Sequence, residues 1–197
     1  MKIKKYDQLG KRDGLPKDLQ ILLEKYPRDS WGEDVLNGNW VAFWLGRHSL
    51  FRKISTSIHD IIEHKLDSKL STESFLRQYS QLMSLMLKNL DSHHAVEDNY
   101  IFPKFYNKSK QFIYGLDLLE NDHLLIHHSI DNVVHAGNKL LSLGLASENG
   151  NLIDDLGKYK VINDKFDTLL KSHLNDEEDL LIPLVNEYGE EYFGLGH

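Results

Sequence analysis

Histidine and glutamate occur twice in this chain at one spacing, with a proline at one offset behind them. The segments from His93 to Pro103 and from His173 to Pro183 both read H-x-x-x-E-x-x-x-x-x-P, with Glu97 and Glu177 as the acids. On a helix the i, i+4 spacing stacks an imidazole over a carboxylate about 5–6 Å apart, a gap that metal–ligand bonds of about 2 Å can close. The chain has four prolines and two of them sit at this offset, so coincidence explains the double match poorly. His93 and Glu97 continue the stripe Leu82, Met86, Leu90, and His173 and Glu177 continue Ile162, Phe166, Leu169; both pairs therefore face inward. A buried carboxylate without a partner costs several kcal/mol, and a cation turns that cost into binding energy.

Further donors follow from the same test of helical face. His48 shares a face with Trp40, Trp44, Phe51 and Ser55, and His123 and His127 stand at i, i+4 on the stripe Leu119, Ile126, Ile130. Together with the repeat these supply five imidazoles and two carboxylates. That set suits two first-row metal ions about 3.5–4 Å apart, with both glutamates bridging and one coordination position open. His59 and Glu63 also read H-x-x-x-E, but Lys69 stands at the proline's place and no second helix repeats the pattern, so they are expected to be a polar or solvent-facing pair. His94 and Asp98 offer the same spacing one residue on, yet the proline offset matches only from His93. His64, His128, His135 and His197 have no partner set.

The elements that must position these residues are helices. Four helical periodicities run over about 39 to 67, 72 to 106, 114 to 143 and 151 to 188, separated by breaker-rich joints, which predicts an all-α, antiparallel up-down four-helix bundle. The first carries Trp40, Phe43, Trp44, Phe51, Ile54, Ile58, Ile61 and Ile62; the second has Ser71 or Thr72 as N-cap; the third meets Gly144 and the turn at 147–150. Residues 1–37, punctuated by Gly10, Gly14, Pro16, Pro27 and Gly32, form an N-terminal extension with one short helix over Pro16 to Tyr26. Its Leu15, Leu19, Leu22 and Leu23 share a face and should pack on the bundle. The bundle is set at 38–190 and a C-terminal tail at 191–197.

Composition narrows the chemistry. With no cysteine among 197 residues, thiolate zinc and iron–sulfur sites are excluded and any metal must take nitrogen and oxygen donors. The formal charge of -7 would repel a phosphate backbone, and the basic residues form no stripe, so nucleic acid is not expected as a partner. No apolar run approaches the roughly 18 residues of a membrane span, and the polar start does not read as a secretory signal; a cytoplasmic location is expected.

The two H-x-x-x-E-x-x-x-x-x-P segments, the run His48-Ser49-Leu50-Phe51-Arg52 and the step Asp122-His123 together resemble the hemerythrin-like HHE family over about residues 40 to 188. The resemblance implies a pair of non-haem iron ions held by His48, His93, Glu97, His123, His127, His173 and Glu177, with the two glutamates bridging. It departs from the oxygen-carrying hemerythrins in the fourth helix, which has His173 and Glu177 four apart instead of a wider His-to-Asp spacing. The family's iron-cluster repair members carry a cysteine-bearing N-terminal segment, and this chain has none. A histidine-rich site leaves few groups to act as acids or bases, so the expected role is holding a small ligand, O2 or else nitric oxide or peroxide, and not catalysis. Two rivals stand beside it. A ferritin-like diiron oxidase or other iron-handling site needs two Glu-x-x-His motifs, and only Glu120 to His123 is present. A zinc-stabilised interaction module would take four donors, fewer than the seven offered. A sensor would have to pass its signal through a separate protein partner or the N-terminal extension, because the bundle fills the rest of the chain.

Overall fold

The structure, a computed structural model, describes residues 3–32, 39–108, 110–146 and 152–195. Four long helices dominate: α2 (Asn39–Leu66), α3 (Thr72–Val96), α5 (Ile113–Ala146) and α6 (Ile153–Tyr188). Each packs on two neighbours, α2 on α3 and α6, and α5 on α3 and α6, which closes a four-membered ring. Short helices complete it: α1 (Ile21–Lys25), α4 (Phe102–Lys108) and α7 (Glu190–Phe193). Among the described residues no helix is long and apolar enough to cross a membrane.

Local chemistry sets the ends. Ser71 caps α3 by accepting from the Ser74 N–H at 3.2 Å, which relieves one of the donors left free in a first turn. The helix expected to run unbroken over 72 to 106 is divided by a π-helical turn, Glu97–Ile101, in which the Phe102 N–H reaches back to the Glu97 carbonyl. Helix α5 continues past Gly144 to Ala146; the turn expected at 147–150 lies outside the described residues, as do the domain joint at 37–38 and His197. In place of one helix over Pro16 to Tyr26 there is a 3₁₀ turn, Lys17–Leu19, followed by α1. Phe43, expected in the core, is 69% exposed, whereas its neighbours Val41 and Trp44 are buried.

The core falls into two apolar clusters. One contains Phe51, Met86, Leu90, Ile126 and Leu174; the other contains Trp44, Ile101, Leu119, Leu180 and Leu181. Three long helices pass from one to the other across a polar residue, His48 on α2, His123 on α5 and the His173–Glu177 turn on α6, and the chain leaving α3 after His93 reaches the second cluster at Ile101. The second cluster also takes in Leu15, Leu19 and Leu22 of the extension, and Phe193 and Leu195 beyond α6. At Gly115 the extension and two helices meet so closely that a Cβ would stand 2.8 Å from Leu180 and 3.2 Å from Leu19.

Candidate metal centre

The polar layer between the two apolar clusters collects seven donors into two groups. His48, His93, Glu97 and Glu177 form one and His94, His123 and His173 the other; within each group the donor atoms lie within 4.8 Å of one another and every residue is buried. The helical wheel explains the contribution of α3. At about 100° per residue, Glu97 falls some 40° round from His93 and His94 some 100° round, so the carboxylate projects between the two imidazoles. The π turn beginning at Glu97 lies at the place where α3 has to aim these side chains, the kind of site at which such turns recur.

Each glutamate divides its two oxygens between the groups. Glu97 Oε1 is 3.1 Å from His93 Nε2 and Oε2 is 3.6 Å from His123 Nε2. Glu177 Oε2 is 3.5 Å from His48 Nε2, while Oε1 is 3.5 Å from His123 Nε2 and 3.4 Å from His173 Nε2. The Nε2 atoms of all four histidines, both ring nitrogens of His94, His173 Nδ1, Glu97 Oε2 and both Glu177 oxygens are buried without a hydrogen-bond partner. Buried polar atoms are nearly always paired, and one nitrogen from each of the five rings together with Glu97 Oε2 and the two Glu177 oxygens fit cations that would accept their lone pairs. The donors, imidazole and carboxylate only, suit first-row metals.

Outside the donors, carboxylates hold the far side of three rings. His48 Nδ1 meets Glu178 Oε1 at 2.9 Å, His123 Nδ1 meets Asp98 Oδ1 at 2.7 Å, and His173 Nδ1 stands 3.6 Å from Asp122 Oδ2. The first two are hydrogen bonds that place the proton on Nδ1 and leave Nε2 free to bind a metal; the third is a longer electrostatic approach, beyond hydrogen-bond reach. The Trp44 indole N–H donates to Glu97 Oε1 at 2.6 Å, fixing that carboxylate from the second apolar cluster. Glu178 is itself held by Arg52 at 2.7 Å and by Arg28 of the extension at 3.0 Å.

Electrostatics divide the donors. Burial pushes the Glu97 carboxyl well above its ordinary range, and nearby Glu177 adds to the push. Burial would raise Glu177 too, but His173 and His123 outweigh it and hold Glu177 well below the usual range. Burial draws His93 down to about 3 and His94 well below its ordinary value. It also pulls on His123 and His173, but Asp98 and Glu177 raise the first to about 9, and Glu177 and Asp122 raise the second to about 10. Without a cation, then, the layer shares protons between acids and imidazoles; with one, those protons are displaced.

Six of the seven residues singled out in the sequence, His48, His93, Glu97, His123, His173 and Glu177, come together here. His127 is half-buried and belongs to neither group; the ring that joins His123 and His173 is that of His94, stacked on His123 with centroids 4.0 Å apart and standing edge-on to His127 at 5.4 Å. His59 and Glu63 are exposed and 3.9 Å apart, away from the layer. His64, His128 and His135 are exposed as well. Glu120, the acid of the lone Glu-x-x-His motif, is exposed and accepts from the Tyr106 hydroxyl at 3.2 Å, so it supplies nothing to the site. Of the orienting carboxylates, the sequence singles out Asp98 and Asp122 but not as partners of a donor ring, and it does not single out Glu178, although each is the immediate neighbour of a donor. The family profile of the Hemerythrin HHE cation binding domain matches residues 41–185, a span that contains both groups of donors. No curated protein and no solved structure matches the chain.

Proposed function

The chain belongs to the hemerythrin HHE cation-binding domain family, and on that footing we propose that it holds two non-haem iron ions and uses them to bind or sense O2, or alternatively nitric oxide or peroxide. The observation that carries this reading is the division of Glu97 and Glu177 between the two histidine groups: a carboxylate with one oxygen toward each group is placed to bridge. His48 and His93 would complete one ion's set, and His94, His123 and His173 the other's. His127 then flanks the second ion behind His94.

A pair of irons in such a set supplies a redox-capable position for a small diatomic or peroxide ligand. The protein's own residues do the rest. Trp44 and the carboxylates behind His48, His123 and His173 fix the donors, and Phe51 and Phe102, with ring centroids 5.1 Å from His93 and 5.5 Å from His123, wall the layer with apolar surface. The donor histidines are spent on the metals, and the described residues of the layer include no acid–base pair aimed at an organic substrate. Members of this family are in general binding and sensing proteins and not catalysts, which agrees. The soluble localisation of such a role would be cytoplasmic, and its signal would leave through a protein partner.

The test is metal analysis with optical spectroscopy of the protein purified in air after iron-replete expression. Two irons per chain with the absorption of a coupled diiron pair are expected. One metal per chain, or zinc alone, would overturn the reading.

A further inference from the structure

The N-terminal extension crosses the polar layer as three of the long helices do. Its Leu9 packs in one apolar cluster and its Leu15 in the other, and between them Arg12 turns inward until its side chain is only 5% exposed. There it meets two enclosed carboxylates from different helices. Nε–H donates to Asp176 Oδ2 at 2.8 Å, Nη1 donates to Asp122 Oδ1 at 3.0 Å and to the Asp7 carbonyl at 2.8 Å, and Nη2 pairs with Asp122 Oδ2. Asp122 Oδ2 is the same atom that faces His173 Nδ1 at 3.6 Å.

We propose that Arg12 is a positioning residue for the metal centre, acting through Asp122 on His173, so that docking of the extension supports one ion of the pair in particular. This rests on the two-ion reading above. The guanidinium fork matches a carboxylate at two points and fixes the plane in which its oxygens lie. Held in that plane, Asp122 keeps one oxygen 3.6 Å from His173 Nδ1, an electrostatic contact that favours the ring orientation with Nε2 turned to the metal. The other orienting acids are secured differently: Glu178 by Arg28 and Arg52, and Asp98 from a side chain 32% exposed. Arg12 therefore bears on the group of His94, His123 and His173 and has no contact with His48 or His93.

The experiment follows release of iron to a strong ferrous chelator from the reduced full-length protein, comparing wild type with Arg12→Ala, Arg12→Lys, Asp122→Asn and the double variant Arg12→Ala/Asp122→Asn. Loss of a residue that orients a ligand costs about 10–100-fold in metal affinity. Arg12 acts one contact farther out, so one of the two ions should leave about tenfold faster in Arg12→Ala while the other keeps its rate. The double variant should be no worse than Asp122→Asn alone, since the two residues act in series. Equal acceleration of both ions, or effects that add, would show that Arg12 only holds the fold and would overturn the proposal, as would unchanged release. If Arg12→Ala fails to fold with Asp122 and Asp176 left unpaired, Arg12→Lys keeps the charge without the fork and should show the same one-ion effect at smaller size; its absence there counts against the proposal equally. Fewer than two ions in the wild type would sink the two-ion reading itself, whereas two ions with unaltered Arg12 variants would sink this inference alone.

Discussion

Stripping the metal should nearly unfold one level of this bundle. Ten nitrogen and oxygen atoms of seven residues are buried there without a hydrogen-bond partner. An unsatisfied buried polar group costs about 1–3 kcal/mol, so the metal-free layer carries a penalty on the order of 10 kcal/mol before any relaxation, comparable with the whole stability of about 5–15 kcal/mol that domains possess. Proton sharing among Glu97, Glu177, His123 and His173 recovers part of it. If half survives, about 5 kcal/mol separates loaded from metal-free protein, and at about 2–4 °C per kcal/mol for a chain of this length the melting temperature should fall by roughly 10–20 °C on chelation. Calorimetry of both forms at equal concentration reads the shift. Hydrogen exchange gives the location: protection should be lost first around His48, at the end of α3, near His123 and along His173 to Glu177, while the distant Tyr79–Tyr159 pair, hydroxyl to hydroxyl at 2.8 Å, keeps its protection. A fall of less than about 3 °C would refute the reasoning, because the orphaned atoms would then have partners that need no cation.

Glu97→Ala and Glu177→Ala should each abolish the spectrum of a coupled pair and lower iron content, since each removes an anion shared by two cations that then repel; a normal spectrum in either would remove that residue from the bridge. His94→Ala should lose iron from one of the two positions, while His127→Ala keeps two irons with altered ligand binding and His59→Ala changes neither, all read by metal analysis and ligand titration side by side; iron loss in His127→Ala with none in His94→Ala would reverse the assignment. Loading the metal-free protein at neutral pH should release protons, because Glu97 sits well above its ordinary range and His123 and His173 sit near 9 and 10. His123 and His173 are protonated at pH 7, Glu97 is biased toward its protonated form, and all must be deprotonated to bind, so apparent affinity rises with pH up to about 10 and falls in acid. Calorimetric titration in buffers of different ionisation enthalpy measures this, and zero net release would contradict it.

The four helices and the inward carboxylates were legible because both follow from periodicity within a single helix. Apolar residues three and four apart give the face, and His93 with Glu97, or His173 with Glu177, extends that face by one more turn. What periodicity does not contain is the axial level of one helix against another. His123 and His127 are equally good donors on α5 taken alone, but they stand one turn apart, and only His123 lies level with the glutamates. The second place beside it falls to His94, which the proline offset had set aside in favour of His93. The doublet itself was the available signal: two histidines flanking a glutamate around a helix let one helix serve both donor groups, and a single i, i+4 match hides that. Arg12 was beyond reach for the same reason, since nothing in the spacing of the extension shows which level of the bundle it meets.

The contact between Arg12 and its two aspartates also has a bearing on how the chain is made. Arg12 is made well before its partners: Asp122 lies 110 residues later and Asp176 lies 164 residues later. At about 5–20 residues per second of synthesis, Arg12 waits roughly 10–30 s for its second partner, and it cannot seat before α5 and α6 are both present. Contacts of such separation form late because loop closure must precede them. A segment made before the helices it locks against is thus placed after them, so the polar layer is assembled before Arg12 reaches it.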